Sequence, residues 1–225
     1  MIAPKDTTGA GDAPATRPSG NTKVSREDWL SHAMEILIDR GVDHVKVLTV
    51  GDRLGVSRSS FYWYFKNRQD LLDALLEDWE ARNTGALRRQ AALPSRTITG
   101  AICNLFRSFI DPGGFNHQLD FAIREWARRS DMVKEQVRRN DQTRLTLIRD
   151  LFDQHGYPAE EALSRARILY YMQIGYYALD LKEPLETRLA NVPGYLEGFI
   201  GHQPDTSDLG DFIADIRGQF DGTIS

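Results

Sequence analysis

The chain has 225 residues, 41% hydrophobic and 27% charged, enough to bury a substantial core in one large or two modest domains, and its composition excludes collagen-like, wholly disordered and membrane-spanning chains. A single cysteine, Cys103, excludes an intrachain disulfide and a thiolate zinc cluster and predicts a reducing, cytoplasmic setting. The net charge of −4 is unevenly spread: residues 21–70 hold eight Lys/Arg against seven Asp/Glu, whereas residues 71–225 hold eighteen against twenty-three.

Residues 1–23 have no periodicity, almost no large apolar side chain and no signal-peptide pattern, which predicts a disordered arm. From Ser25 onward the pattern is helical. Ser25 and Asp28 form a capping-box start, one apolar face runs through Trp29, Ala33, Ile36 and Leu37, and Gly41 is the stop. Gly51 and Gly55 punctuate the next stretch, Ser57 is a candidate cap for a short helix from 58 to 64, and Asn67 with Asp70 predicts the start of a long helix over 68–89. Amphipathic segments follow at 97–110, 116–129, 131–155 and 159–182, separated by Pro and Gly clusters, with short helices near 186–200 and 208–218. No segment shows sustained strand alternation, so the fold class is all-α.

The most demanding pattern is Val45–Phe65, VKVLTVGDRLGVSRSSFYWYF. Read as helix-turn-helix, Val50 and Leu54 are buried on the first helix and the small Gly51 lets the second helix cross closely. Gly55 supplies a left-handed turn, and Val56, Phe61 and Tyr64 or Phe65 close the core. Five basic residues between 46 and 68, opposed only by Asp52, give this segment a local positive charge.

These residues, with GVSRSSFYWYFKNRQDLLDALL at their centre, resemble the DNA-binding domain of TetR-family (TetR/AcrR-like) transcriptional regulators over roughly residues 25–80. The resemblance implies a helix-turn-helix DNA-binding domain at 24–69 and a helical ligand-binding and dimerisation domain at 70–225. It implies a homodimer that binds double-stranded DNA, most often as a repressor released from a palindromic operator by a small-molecule effector. The alternative is a ligand-independent DNA-binding or adaptor protein with a solid C-terminal domain. Base contacts are assigned to Arg58, Ser59 and Ser60, with Tyr62 at the boundary of bases and backbone, because a guanidinium can donate two hydrogen bonds to guanine. Tyr64, Lys66 and Arg68 match phosphate-contacting positions, and helix starts at Thr49 and Asn67 can add amide donors. Packing is the competing reading for Trp63 and Tyr64, and a solvated loop charge for Lys66. Lys46 and Leu48 depart from the Thr and Arg common in the family, which weakens the helix start and removes one DNA contact; Arg17 and Lys23 in the arm are candidates to compensate through the minor groove.

In the second domain, the 159–182 segment carries two apolar stripes, which predicts burial on both sides and a dimer interface through Tyr170, Ile174, Tyr177 and Leu181. Asp141 interrupts an apolar stripe and needs a partner: a ligand group in a pocket lined by Phe106, Phe109, Phe121, Trp126 and Tyr170, an internal arginine such as Arg124 or Arg144, or water. Cys103 reads as a small buried hydrophobe. The five histidines lack zinc-ligand spacing, and no phosphate loop, nucleophile elbow or dinucleotide fingerprint occurs. The expectation is a non-enzyme without metal or cofactor.

Overall fold

The structure, a computed structural model, describes residues 24–111 and 113–221; the expected N-terminal arm lies outside them. Eleven α-helices account for most of the described residues, among which there is no strand: α1 Arg26–Arg40, α2 Val47–Leu54, α3 Arg58–Phe61, α4 Arg68–Trp79, α5 Gly85–Ala91, α6 Ile98–Ile110, α7 His117–Ala127, α8 Asp131–Gln154, α9 Ala159–Ala178, α10 Leu185–Ile200 and α11 Thr206–Asp221. Among the described residues, no helix is long and apolar enough to cross a membrane.

Most boundaries follow from caps. The Ser25–Asp28 capping box opens α1, and Gly41 ends it at φ +80°. Side-chain oxygens of Asn67, Thr97, Asn116 and Ser130 accept the first free amides of α4, α6, α7 and α8. At α4 a second bond runs from the Lys66 amide to Asp70 at 2.8 Å. Two expected caps differ. Lys46 precedes α2 without any side-chain cap, as its departure from Thr implied, and the Ser57 hydroxyl pairs with Ser59 at 2.7 Å instead of capping α3. α3 is correspondingly short, four residues and then turns through Tyr64. The long helix expected over 68–89 is α4 and α5 joined by a π-helical turn, Glu80–Thr84. A π turn inserts an extra residue into the helix and commonly marks a functional position.

Two apolar clusters divide the molecule. The first joins Trp29, Leu37, Val50, Phe61, Phe65 and the α4 leucines to Leu119, Ile123 and Trp126 of α7 and Val133 and Val137 of α8. The second gathers α6, the C-terminal half of α8, α9, α10 and α11. The helix-turn-helix therefore shares its core with α4 and α7, and the change of cluster falls at the π turn rather than at residue 69. Gly51 is needed at the α2 crossing, since a Cβ there would stand 3.3 Å from the Val56 carbonyl and 3.4 Å from the Trp29 ring.

A second close approach follows α6. The Phe115 amide donates to the Ser108 carbonyl at 2.6 Å, and a Cβ on Gly114 would run into that same oxygen. Because the clash is with backbone, Gly114→Ala is expected to lower stability by about 1–3 kcal/mol, read as an earlier denaturant midpoint with an unchanged slope.

Between the clusters lies a buried ionic network. Asp120 and Arg144 are both fully buried and bonded at 2.9 Å. Asp120 also accepts from Trp79 Nε1 at 2.9 Å and Arg124 Nε at 2.8 Å. Arg124 makes a bidentate pair with Asp141 at 2.6 and 2.9 Å, and the Tyr170 hydroxyl donates to Asp141 at 2.7 Å. Arg144 Nε reaches Thr84 in the π turn at 2.9 Å. Burial raises the Asp120 carboxyl, but Arg144, Arg124 and its hydrogen bonds outweigh burial and hold it below the ordinary carboxylate value. Burial also pushes the Tyr170 hydroxyl upward, so it stays protonated and donates.

Candidate functional site

The helix-turn-helix presents one face with a clear division of labour. Phe61 and Phe65 stack at 5.3 Å and turn inward, with Trp29 meeting Phe61 edge-on at 5.2 Å. The intervening Tyr62 and Trp63 are therefore directed outward, Trp63 with 85% of its surface exposed. An exposed tryptophan of that degree is unusual in a soluble domain. Leu48 on α2 is exposed beside the same motif.

Arg58 is exposed, with Nη2 donating to the Tyr62 hydroxyl at 3.0 Å and the guanidinium 5.8 Å from the Tyr62 ring centre. Ser59 is exposed and Ser60 half-buried at the helix start. Lys66 is exposed in the turn before α4, and Lys46 before α2. None of Lys46, Arg58 and Lys66 has a carboxylate partner among the described residues, whereas Arg53 is drawn to Asp39 at 3.4 Å and Glu35 at 3.8 Å. The outward surface thus combines three unneutralised cations with two exposed aromatic rings.

Three expected contacts are placed differently. Arg68 is half-buried, with Nε donating to the Val45 carbonyl and Nη2 to the Val42 carbonyl, both at 2.6 Å. It fastens the 3₁₀ turn before α2 to the start of α4, a positioning task in place of a phosphate contact. The Tyr64 hydroxyl donates to the Val24 carbonyl at 2.5 Å and its ring packs against the first cluster, so it anchors the chain entering α1. Thr49 is half-buried within the first turn of α2, which begins at Val47. For Trp63 the sequence alone permits either packing or contact. The spacing that buries Phe61 and Phe65 is the signal that turns it outward.

The C-terminal expectations need more correction. Tyr170 is 2% exposed, and Asp141 is held by Arg124 and Tyr170. Where a pocket was expected stands the ionic network, with the internal arginine Arg124 as a partner of Asp141. Trp126 belongs to the first cluster, against α1, and Phe121 is half-buried on α7, away from the cleft described next. Phe106 and Phe109 do line a cleft, formed by α6, α9, α10 and α11. The residues expected at a dimer interface differ in exposure. Tyr177 is stacked on His117 at 4.6 Å and on Phe115 at 6.0 Å and donates to the Phe109 carbonyl. Ile174 is partly buried against the second cluster. Leu181 is exposed, but the outward face of α9 is made by Ile168, Tyr171 and Leu179, with open space over Gly175. Cys103 is buried, and burial pushes its thiol up to about 12.

Residues 30–75 match the family described as bacterial regulatory proteins, tetR family. Over 55 residues the chain is 42% identical to the tetracycline repressor protein class C of Escherichia coli, covering 24% of this chain and 25% of that protein. Over 54 residues it is 35% identical to an HTH-type transcriptional repressor of Mycobacterium tuberculosis, covering 24% and 21%. The matching segment thus spans about a quarter of these curated relatives. Among solved structures, AmtR of Mycobacterium smegmatis superimposes with a TM-score of 0.60 at 22% identity, over 90% of this chain and 98% of that one. A TetR-family transcriptional regulator of Streptomyces coelicolor gives 0.56 at 20% identity, over 85% and 89%; at these identities the likeness is one of fold. Residues 30–75 are thus similar to the DNA-binding segment of the tetR family of bacterial regulatory proteins, and they are set in an all-helical fold like that of the solved structures.

Proposed function

We propose that the protein is a homodimeric, sequence-specific DNA-binding regulator that reads a palindromic duplex through α3 and responds to a small molecule in its C-terminal domain. The observation that carries the reading is the outward face of the helix-turn-helix: Tyr62 and Trp63 exposed among Lys46, Arg58 and Lys66, which lack carboxylate partners among the described residues. Buried aromatics have a packing reason, but exposed ones beside unneutralised cations suit a polyanion carrying stacked bases. Arg58, Ser59 and Ser60 take base edges. Lys66, with the free amides at the start of α2, takes phosphates, and Trp63 flanks them along the backbone. The repressors among its relatives favour the repressing sense.

A short recognition helix gains sequence reach by pairing with a second copy. The α9 face of Ile168, Tyr171, Gly175 and Leu179, at spacings of three and four, supports that pairing, since an apolar stripe is otherwise left to water. Ile168→Glu with Tyr171→Glu should convert dimer to monomer by sedimentation at micromolar concentration and lower DNA affinity at least tenfold. A dimer unaffected by both charges would move the interface elsewhere.

An effector releases DNA only if it favours the spacing of recognition helices that does not fit. The cleft between α6, α9, α10 and α11 supports such a ligand. The path to DNA runs through the ionic network to the π turn and along α4 to Arg68. A second reading, DNA binding without a ligand, is favoured by the ionic network at Asp141 and Tyr170. DNA affinity measured with and without bound ligand separates the two.

A further inference from the structure

The cleft between α6, α9, α10 and α11 is lined by apolar side chains, among them Phe106, Phe109, Leu189, Val192 and Phe212, and by a few polar ones. Of the polar ones, Glu183 and Arg188 both meet Tyr176. The free space is about 60 Å³. A single water needs roughly 10–15 Å³ on the same measure, so the cleft takes the place of about five waters, or roughly ten non-hydrogen atoms.

The polar groups are not equivalent. Glu183 accepts the Tyr176 hydroxyl at 3.0 Å. Arg188 is half-buried with its guanidinium 5.6 Å from the Tyr176 ring centre, and its side chain has neither an ion pair nor a hydrogen bond among the described residues. Its five N–H donors therefore have no protein acceptor among the described residues, although Arg188 lines the cleft. A planar fork with free donors beside an apolar wall matches a carboxylate, which it can hold through two parallel bonds. The connection between α9 and α10, which supplies Glu183 to the cleft, holds Asp180 and Lys182 at φ +47° and +48°. Two non-glycine residues in the left-handed region so close together mark a strained connection.

We infer that this cleft is a binding site for a compact apolar or aromatic molecule ending in a carboxylate, its body among Phe106, Phe109, Val192 and Phe212 and its carboxylate on Arg188. The inference rests on the reading of the C-terminal domain as ligand-binding, and it deepens that reading by naming the ligand class and the anchoring residue. It keeps Phe106 and Phe109 of the aromatic residues named from the sequence and replaces Phe121, Trp126, Tyr170 and Asp141 with residues of α10 and α11.

The test uses full-length protein and three probes of one shape, 3-phenylpropionate, 3-phenylpropanol and 3-phenylpropylamine, titrated by calorimetry. The carboxylate is expected to bind at least tenfold more tightly than the alcohol, and the amine more weakly than either. Arg188→Gln should erase the difference between carboxylate and alcohol while leaving alcohol binding in place. Val192→Trp should block both by filling the apolar part of the cleft. Equal binding of acid and alcohol by the unaltered protein, preference for the amine, no binding of any probe, or indifference to both substitutions would overturn the site. DNA affinity is measured separately with each probe. Carboxylate binding that leaves DNA affinity unchanged would support the site and overturn the effector role proposed above.

Discussion

Asp120→Asn is expected to destabilise the protein by about 3–5 kcal/mol, because it takes from the fully buried Arg144 its hydrogen-bonded, equally buried counter-charge and leaves only Asp141, 3.8 Å away. Asp120 accepts from Trp79, Arg124 and Arg144, so one substitution disturbs α4, α7 and α8 together. At this chain length the thermal midpoint should fall by about 6–20 °C. If that variant fails to fold, Asp120→Leu combined with Arg144→Met keeps the idea open to refutation: replacing both charges with apolar groups should recover most of the loss, since a missing partner costs more than a missing pair. The pH dependence has a fixed sign. The folded carboxyl lies below its ordinary value, so its contribution is complete above about pH 4–5 and disappears as pH falls through the lowered folded value. Asp120→Asn should flatten that acid limb. A variant as stable as the parent, with the same acid limb, would remove the network from the account.

Arg58→Ala should relax preference at one base position per half-site by about 1–3 kcal/mol while leaving binding to unrelated duplexes nearly unchanged. Lys66→Ala should weaken all duplexes alike and reduce the salt slope by about one unit for each phosphate that Lys66 neutralises. Trp63→Ala should weaken binding with little change in folding stability, since its ring is exposed. Arg68→Ala should behave unlike all three. Its donors hold the Val42 and Val45 carbonyls, so the loss appears first as lower thermal stability, with the salt slope unaltered. If Arg68→Ala and Lys66→Ala gave the same salt slopes, the assignment of Arg68 to positioning would fail.

The helix-turn-helix is largely legible in the sequence because its constraints are local. A capping box, Gly51 at a close crossing and Phe61 with Phe65 on one face all act within a few residues, and the elements form as the pattern requires. The four-residue length of α3 is not legible, because its later turns depend on how Tyr64 reaches Val24, 40 residues away. The role of Arg68 is hidden for the same reason: its partners are carbonyls 23 and 26 residues upstream. In the second domain the sequence offers amphipathic stripes but not their rotation. Tyr170, Ile168 and Tyr171 are close neighbours in the chain, and only the packing of α9 on α8 and α10 decides that Tyr170 goes in while Ile168 and Tyr171 face out. The Asp141 stripe raises the right question, and its answer, Arg124, is one of the alternatives the sequence leaves open. Of the cleft, only the α6 wall is legible, through Phe106 and Phe109; Arg188 leaves no sequence signal, since the cleft is assembled from four helices whose register no local rule sets.

If two copies of α3 read one duplex, selection of bound DNA from a random duplex pool by the protein will reveal it. The expected result is enrichment of an inverted repeat whose arms lie about one helical turn apart or a little more, with Arg58→Ala relaxing one position in each arm. A pool with no enriched sequence, or an enriched site without two-fold symmetry, would contradict it.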